Sequence, residues 1–338
     1  MPCYSPLKGF KDLETGGIKF RRENAGDEME VACGQCLGCR LDRSRMWAMR
    51  IVHESGMHEF AGGNCFITLT YDDDHVPDTW SLQKSDFQKF MKRLRKRFPQ
   101  KIRFFHAGEY GAKCKHIEAW ETDRTVKDCP GCDVGRPHYH ACLFNVDFVD
   151  REAVGQRNGV VYYTSGELQR LWPFGFVQVG DLTFESAAYV ARYCLKKITG
   201  KDEPNWYWVT DKNGELRRVE QEYCTMSLGH RCKEHRGLPS RPVDCEKCSG
   251  GIGADWYEKY KTDIFPSDEV PVPGSGVFKK VPRYYESLLE REDPGLLEEV
   301  KLLREAFKKA HGDEYTPERL MAKYKVKKAQ VGMLKRGV

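Results

Sequence analysis

Two periodicities divide the chain. Apolar and polar positions alternate every second residue in short stretches and recur every three or four in longer ones. Residues 65–71, Cys-Phe-Ile-Thr-Leu-Thr-Tyr, predict a strand with Ile67, Leu69 and Tyr71 on one face and Phe66, Thr68 and Thr70 on the other. Residues 102–110 predict a second strand and 176–179 a short one. Within 135–145, Gly-Arg-Pro-His-Tyr-His-Ala-Cys-Leu-Phe-Asn, the run Ala141 to Phe144 reads as a buried strand, with Pro137 at its start, where a missing N–H costs little. Helical spacing predicts a basic helix over 40–54, on Met46, Met49, Arg50 and His53. It predicts another over 86–98, with Ser85 as N-cap and the stripe Phe87, Phe90, Met91 and Leu94. A short helix is expected over 167–172. A further helix over 186–197 turns Val190, Ala191, Cys194, Leu195 and Ile198 to a core. Residues 206–219 alternate like a hairpin turning at 211–214. Residues 266–276, rich in Pro, Gly and Ser, read as a linker to a charged helical tail with Leu288, Leu289, Leu296, Leu297, Val300, Leu302 and Leu303 as its apolar positions.

The strand at 137–144 carries two histidines one residue apart. Residues two apart on a strand share a face, so His138 and His140 project side by side and Tyr139 points away. Two imidazoles on a rigid strand form half a divalent-metal site; a pair of satisfied histidines at a sheet edge is the plainer reading. Glu109, near the end of the neighbouring strand, can complete the site. His106 competes for that place but faces the other side if the strand stays regular. The acidic turn at 72–77 offers a second metal candidate, although such turns are commonly just solvated. On the helix at 186–197, Tyr189 and Tyr193 stand four apart and share one face, with Lys196 between them in projection and Lys197 beside Tyr193. A stripe on a surface helix is the alternative.

Composition narrows the class. The 338 residues suffice for two domains or one decorated one, and 40% hydrophobic with 31% charged residues suits a soluble core. No apolar run approaches membrane-spanning length and the start lacks a signal-peptide core, so a cytoplasmic protein with no membrane partner is expected. A net charge of +5 is compatible with nucleic acid. Candidate phosphate-facing cations are Arg40, Arg43 and Arg45 on the first helix and Lys92, Arg93 and Lys96 at the end of the second.

The 14 cysteines are the unusual feature. Cytosolic thiols stay reduced, so C-x-x-C spacing points to metal rather than disulfides. Zinc takes four tetrahedral ligands, and three sets are expected as structural Zn²⁺ sites. The first is Cys33, Cys36 and Cys39 with Cys3, the only other cysteine in this part of the chain. The second is Cys114, His116, Cys129 and Cys132, in a segment that looks inserted. The third is Cys232, His235, Cys245 and Cys248. The glycine-rich stretch at 250–257 lacks the G-K-[ST] of a phosphate loop.

A His-x-His strand, a Tyr-x-x-x-Tyr helix and basic surfaces together suggest DNA-strand transesterification. A tyrosine oxygen attacks a phosphodiester and stays bonded to the 5′ phosphate, and a divalent metal, Mg²⁺ or Mn²⁺, favours the 3′-hydroxyl as leaving group. The chain resembles the replication initiators of gokushovirus-type microviruses, small single-stranded DNA phages. The resemblance is carried by residues 1–4, 33–45, 66–73, 105–111, 135–144, 189–197 and 251–257, within roughly residues 1–265. It implies an α+β fold of the HUH-endonuclease kind, an antiparallel sheet flanked by helices, that nicks double-stranded replicative DNA and drives rolling-circle replication. It further implies His138 and His140 as metal ligands, Glu109 as the third, and Tyr189 and Tyr193 as alternating nucleophiles. The cysteine-bearing insertions near 112–134 and 230–250 depart from the family pattern. The expected organisation is a Cys-rich segment with a basic helix (1–60), a nuclease domain (61–265), and a linker with a helical tail (266–338). Expected partners are single-stranded and replicative-form phage DNA, with host helicase and polymerase, in the cytoplasm of the bacterial host. Rival readings are an HUH transposase or relaxase and a non-catalytic zinc-dependent nucleic-acid-binding protein.

Overall fold

The computed structural model describes residues 3–15, 17–23, 25–59, 62–111, 135–157, 160–193, 208–210, 215–230, 232–235, 245 and 248–333. The chain opens with a small antiparallel sheet of β1 (Leu7–Asp12), β2 (Ile18–Lys19) and β3 (Ala25–Val31), followed by the long helix α1 (Leu37–Gly56). Next come β4 (Asn64–Tyr71), α2 (Lys84–Arg97), β5 (Arg103–Tyr110), β6 (Pro137–Phe144), β7 (Arg151–Arg157) and β8 (Val160–Ser165). The chain continues through α3 (Gly166–Leu171), β9 (Gly175–Gly180), α4 (Phe184–Tyr193), β10 (Trp208–Thr210), β11 (Leu216–Arg218) and β12 (Tyr223–Met226). It ends in α5 (Ala254–Ile264), the hairpin β13 (Glu269–Val272) and β14 (Gly276–Lys279), and α6 (Arg283–Glu292), α7 (Pro294–Ala310) and α8 (Pro317–Met333).

Seven strands form the central antiparallel sheet in the order β12-β5-β6-β4-β9-β8-β7. The mixed α+β class is as expected. β6 is buried at every position because it lies between β4 and β5 and is covered on both faces. One face, carrying Ile67, Leu69, Tyr139, Ala141 and Leu143, packs on Phe87, Phe90, Met91 and Leu94 of α2, with Leu168 and Trp172. The other, carrying Phe105, Ala107, Cys142 and Phe144, packs on Ala48, Met49, Ile51 and Val52 of α1, Ala187 and Val190 of α4, and Trp256 and Tyr257 of α5. Each such large apolar side chain contributes roughly 1.5–3 kcal/mol when fully buried.

Two expectations need correction. Ser85 does not cap α2: the N-cap is Gln83, without a side-chain cap. A tertiary contact takes that role, because the Tyr139 hydroxyl accepts from the Gln83 N–H (2.9 Å) and donates to its carbonyl (3.0 Å). Residues 266–276 are not a plain linker. They contain β13, where Val270 and Val272 are buried and Pro271 points outward, and β13 pairs with β14. Tyr285, Leu289, Leu297 and Val300 extend the same core into α6 and α7, whereas Leu302 and Leu303 are exposed. The hairpin expected over 206–219 holds as β10 paired with β11; its turn at 211–214 lies outside the described residues.

Candidate metal and tyrosine site

Strand register assembles the site. Glu109 on β5 stands opposite His138 on β6, and His140 stands between Ala107 of β5 and Thr68 of β4. All three side chains project to the face covered by α1 and α4. Glu109 Oε1 lies 2.8 Å from His138 Nε2 and 3.1 Å from His140 Nε2. The other ring nitrogens are held from behind. His138 Nδ1 donates to the Arg136 carbonyl at 3.0 Å, and His140 Nδ1 is 2.9 Å from Thr68 Oγ1. Fixing Nδ1 in this way sets the tautomer of a metal-binding histidine. With Nδ1–H donated, neutral His138 turns its Nε2 lone pair toward the carboxylate, as His140 does if Thr68 accepts. A cation satisfies such a set of three converging acceptors, so the residues fit a divalent metal. When the rings are instead protonated and donate to it, burial still pushes the Glu109 carboxyl up, but His138 and His140 hold it well below its usual range.

His106 does not join this set. It lies on the opposite face, stacked on Phe87 (3.4 Å between ring centroids), with Nδ1 3.0 Å from Thr225 Oγ1. In the acidic turn, Asp72 accepts from His75 and Asp73 pairs with Arg136. This turn is absent from the metal-capable groups among the described residues.

α4 brings Tyr189 to the site. Its ring meets the His140 ring edge-on at 5.2 Å and the Phe66 ring at 6.2 Å, while Arg192 lies 5.9 Å from its centroid. Tyr189 is therefore half-buried against the histidine strand rather than lying on a polar surface. Tyr193 ends the described part of α4, and Lys196 and Lys197 lie outside the described residues. Sequence reasoning missed Thr68, Phe66 and Arg192. Phe66 and Thr68 do share a strand face in the alternation, and that face proves to be the site's.

Cys3, Cys33, Cys36 and Cys39 converge despite their separation in sequence, with Sγ atoms all within 4.8 Å of one another. The Cys3 sulfur is 3.6 Å from Cys33 and 3.8 Å from Cys36. Zn–S bonds of ~2.3 Å in a tetrahedron space sulfurs by about 3.8 Å, so the group fits zinc. Backbone N–H groups of Tyr4, Cys33 and Cys36 point at these sulfurs at 3.3 Å. Cys232, Cys245 and Cys248 form a second metal-capable group, and a bridge between His230 and Ser249 closes the base of its loop. The His235 backbone lies in an adjoining 3-10 turn; its side chain, like Cys114, His116, Cys129 and Cys132, lies outside the described residues.

The cationic candidates divide between the two faces. Arg40 and Arg43 are exposed on the first turns of α1, on the site's side of the sheet, and Arg45 is paired with Asp42 at 2.7 Å. Lys92, Arg93 and Lys96 lie on α2, which covers the opposite face, and Arg93 Nε donates to the Leu171 carbonyl at 2.8 Å. The structure does not bring them to the Glu109 site. The glycine-rich stretch at 250–257 starts α5: Gly253, at φ +80, donates its N–H at 2.7 Å to Glu54, which pairs with Arg103 at 2.7 Å. Its glycines serve close packing, since a Cβ on Gly253 would lie 2.5 Å from the Tyr285 hydroxyl.

The family described as Replication-associated protein ORF2/G2P matches residues 64–119 and 130–198, the span from β4 through α4 that contains Glu109, His138, His140 and Tyr189. The chain is similar over most of its length to replication-associated proteins of microviruses. It is 29% identical over 309 residues to Replication-associated protein VP4 of Bdellovibrio phage phiMH2K, covering 87% of this chain and 79% of that protein. It is 28% identical over 330 residues to Replication-associated protein ORF2 of Spiroplasma virus 4, covering 90% and 86%. With Replication-associated protein ORF4 of Chlamydia phage 1 it shares 30% identity over 233 residues, 66% of this chain and 51% of the relative. No solved structure matches the chain. Among the described residues no helix is long and apolar enough to cross a membrane.

Proposed function

We propose that this protein is an HUH-type nickase that starts rolling-circle replication of a phage genome. The observation that carries the reading is the Tyr189 ring set edge-on against His140, one of the three converging side chains Glu109, His138 and His140. Glu109, His138 and His140 would hold Mg²⁺ or Mn²⁺, which supplies charge neutralisation at a bound phosphate. In this reading Tyr189 attacks that phosphate. Its hydroxyl oxygen forms the new P–O bond, its proton is lost, and the 3′-oxygen leaves and is protonated. A free phenol ionises near pH ~10, so nearby positive charge must stabilise the developing phenolate, and Arg192 on the same helix is placed to contribute. Tyr193, one turn on, is the second nucleophile, and Lys196 and Lys197 follow it. Two tyrosines allow one to hold the 5′ end while the other cuts the regenerated origin and the strand is rejoined. The substrates are single-stranded and replicative-form DNA in the cytoplasm of the bacterial host, where host helicase and polymerase extend the free 3′ end. The cysteine groups are proposed as structural Zn²⁺ sites.

The test is nicking of supercoiled replicative-form DNA, followed by mass spectrometry of the DNA-linked peptide. The parent should nick with Mg²⁺ or Mn²⁺, stop with chelator, and carry its adduct on Tyr189 or Tyr193. His138→Ala and His140→Ala should each lower nicking by at least about 100-fold, the scale of losing electrostatic stabilisation at a reacting centre. Full activity in both variants, or an adduct on any other residue, would sink the proposal.

A further inference from the structure

Two helices outside the proposed nuclease site carry a strong excess of positive charge: α8, and α2, on which Lys84, Lys89 and Arg97 are paired with Glu220, Asp86 and Glu167. α8 carries Arg319, Lys323, Lys325, Lys327 and Lys328 against a single carboxylate, Glu318, in a protein whose net charge is only +5. Leu320 is buried beneath it, and the Tyr324 ring meets the Tyr4 ring at 5.6 Å, so the helix is seated rather than trailing. Tyr4 in turn gives its N–H to Cys36 at 3.3 Å, which ties α8 to the cysteine group at the start of α1. Lys323 is paired with Glu314 at 2.6 Å, whereas Arg319, Lys325 and Lys328 are exposed. Ala322, Ala329 and Gly332 are also exposed on this helix. These small residues alternate on the open side with the larger exposed Met321 and Val326, and the long Arg319, Lys325 and Lys328 side chains can reach past them to a sugar–phosphate backbone. The neighbouring α7 differs: its cations Lys301, Arg304, Lys308 and Lys309 are offset by Glu298, Glu299 and Glu305.

We propose that the exposed side of α8, through Arg319, Lys325 and Lys328, is a sequence-independent docking surface for the phosphate backbone of duplex DNA. It would hold the replicative duplex while the nuclease site acts on the strand to be cut. The proposal rests on the DNA-acting reading above, but its test requires no cleavage, so the two fail separately.

The experiment is fluorescence anisotropy of the full chain with a duplex of about 30 base pairs lacking any origin sequence, over a range of salt. Each neutralised phosphate contributes a slope of about −0.9 in log affinity against log salt. The triple variant Arg319→Gln/Lys325→Gln/Lys328→Gln should therefore lose about two to three units of slope and bind at least about tenfold more weakly near 0.1 M salt. The charge-preserving variant Arg319→Lys/Lys325→Arg/Lys328→Arg should keep the parent's slope, which separates lost charge from lost fold. Lys92→Gln/Lys96→Gln on α2 should also keep it. An unchanged slope in the α8 triple, or a slope lost in the α2 pair instead, overturns the assignment.

Discussion

At the scale of single residues, the outer contacts of the histidine pair carry as much information as the pair itself. Thr68 touches neither Glu109 nor the point where Nε2 of both histidines converges, yet its hydroxyl sits 2.9 Å from His140 Nδ1. Groups in this position orient the ring, and losing one commonly costs 10–100-fold in metal affinity. Thr68→Val keeps the branched shape on β4 and removes the hydrogen bond. We expect it to raise the Mn²⁺ concentration needed for half-maximal nicking by roughly 10-fold or more, while saturating Mn²⁺ restores most of the rate. A metal titration of the nicking rate reads this directly, and an unshifted midpoint contradicts it. Thr68 was visible in the sequence as a face-mate of Phe66 and Thr70; that this face holds the histidines follows only from strand pairing.

At the scale of elements, the cysteine group at the start of α1 shows how loop and helix depend on each other. Cys36 is the N-cap of α1 and makes no side-chain cap. Its sulfur instead accepts from the Tyr4 N–H, while desolvation and the N–H groups around it act in opposition and leave the thiol lowered to about 6. Thiolate is the metal-binding form. Structural zinc in small units is worth on the order of 10 kcal/mol, so one lost ligand should release the ion. Cys36→Ser is expected to lower the zinc content of purified protein by one ion per chain, and Cys245→Ser to lower it by one independently. Metal analysis of the two variants beside the parent tests this; equal zinc in all three rules the sites out. The C-x-x-C spacing was legible in sequence. Cys3 was reached only by elimination, as the one other cysteine in this part of the chain, because nothing local determines where a segment thirty residues upstream returns; the structure brings it to the group.

At the scale of the whole molecule, one buried histidine joins four separate pieces. His53 of α1 is stacked on Trp256 of α5 with ring centroids 3.5 Å apart. Its Nδ1 accepts from the Tyr285 hydroxyl of α6 at 2.8 Å, and its Nε2–H donates to the Pro271 carbonyl of β13 at 3.0 Å. The Nδ1 contact requires a neutral ring, whereas the Nε2–H donation survives protonation, and burial lowers the His53 imidazole to about 4. An unfolded histidine titrates near ~6.5. Between these values the unfolded chain binds the extra proton, so stability rises with pH; the contribution is complete above about pH 6.5 and is lost as pH falls toward 4. At pH 4.5 the loss from this group is on the order of 2 kcal/mol. His53→Gln can replace both hydrogen bonds without titrating. Its stability relative to the parent should therefore improve by about that amount between pH 7 and pH 4.5 in urea unfolding, a comparison in which the titration of other groups cancels. A difference that does not change with pH refutes the role given to His53.

Local pattern determined the elements of this protein wherever side chains alternate or recur with a clear period. β4, α2, β6 and β9 fall within a few residues of expectation because each has a face to bury, and burial is the dominant favourable term. The pair His138 with His140 was legible for the same geometric reason, since two residues on a strand return to one face. Only the tertiary structure decided what those faces meet. Register set Glu109 opposite His138; one residue of slip would have put Gly108 or Tyr110 there and turned Glu109 to the other face. The helix layers decided that Tyr189 lies against His140 while the α2 cations lie across the sheet. The stretch at 266–276 misled because Pro and Gly content outweighed the alternation of Val270 and Val272, and their burial depends on α1 being present to cover them. A sequence encodes periodicity residue by residue, whereas partner choice is a property of the assembled core and has no local signal.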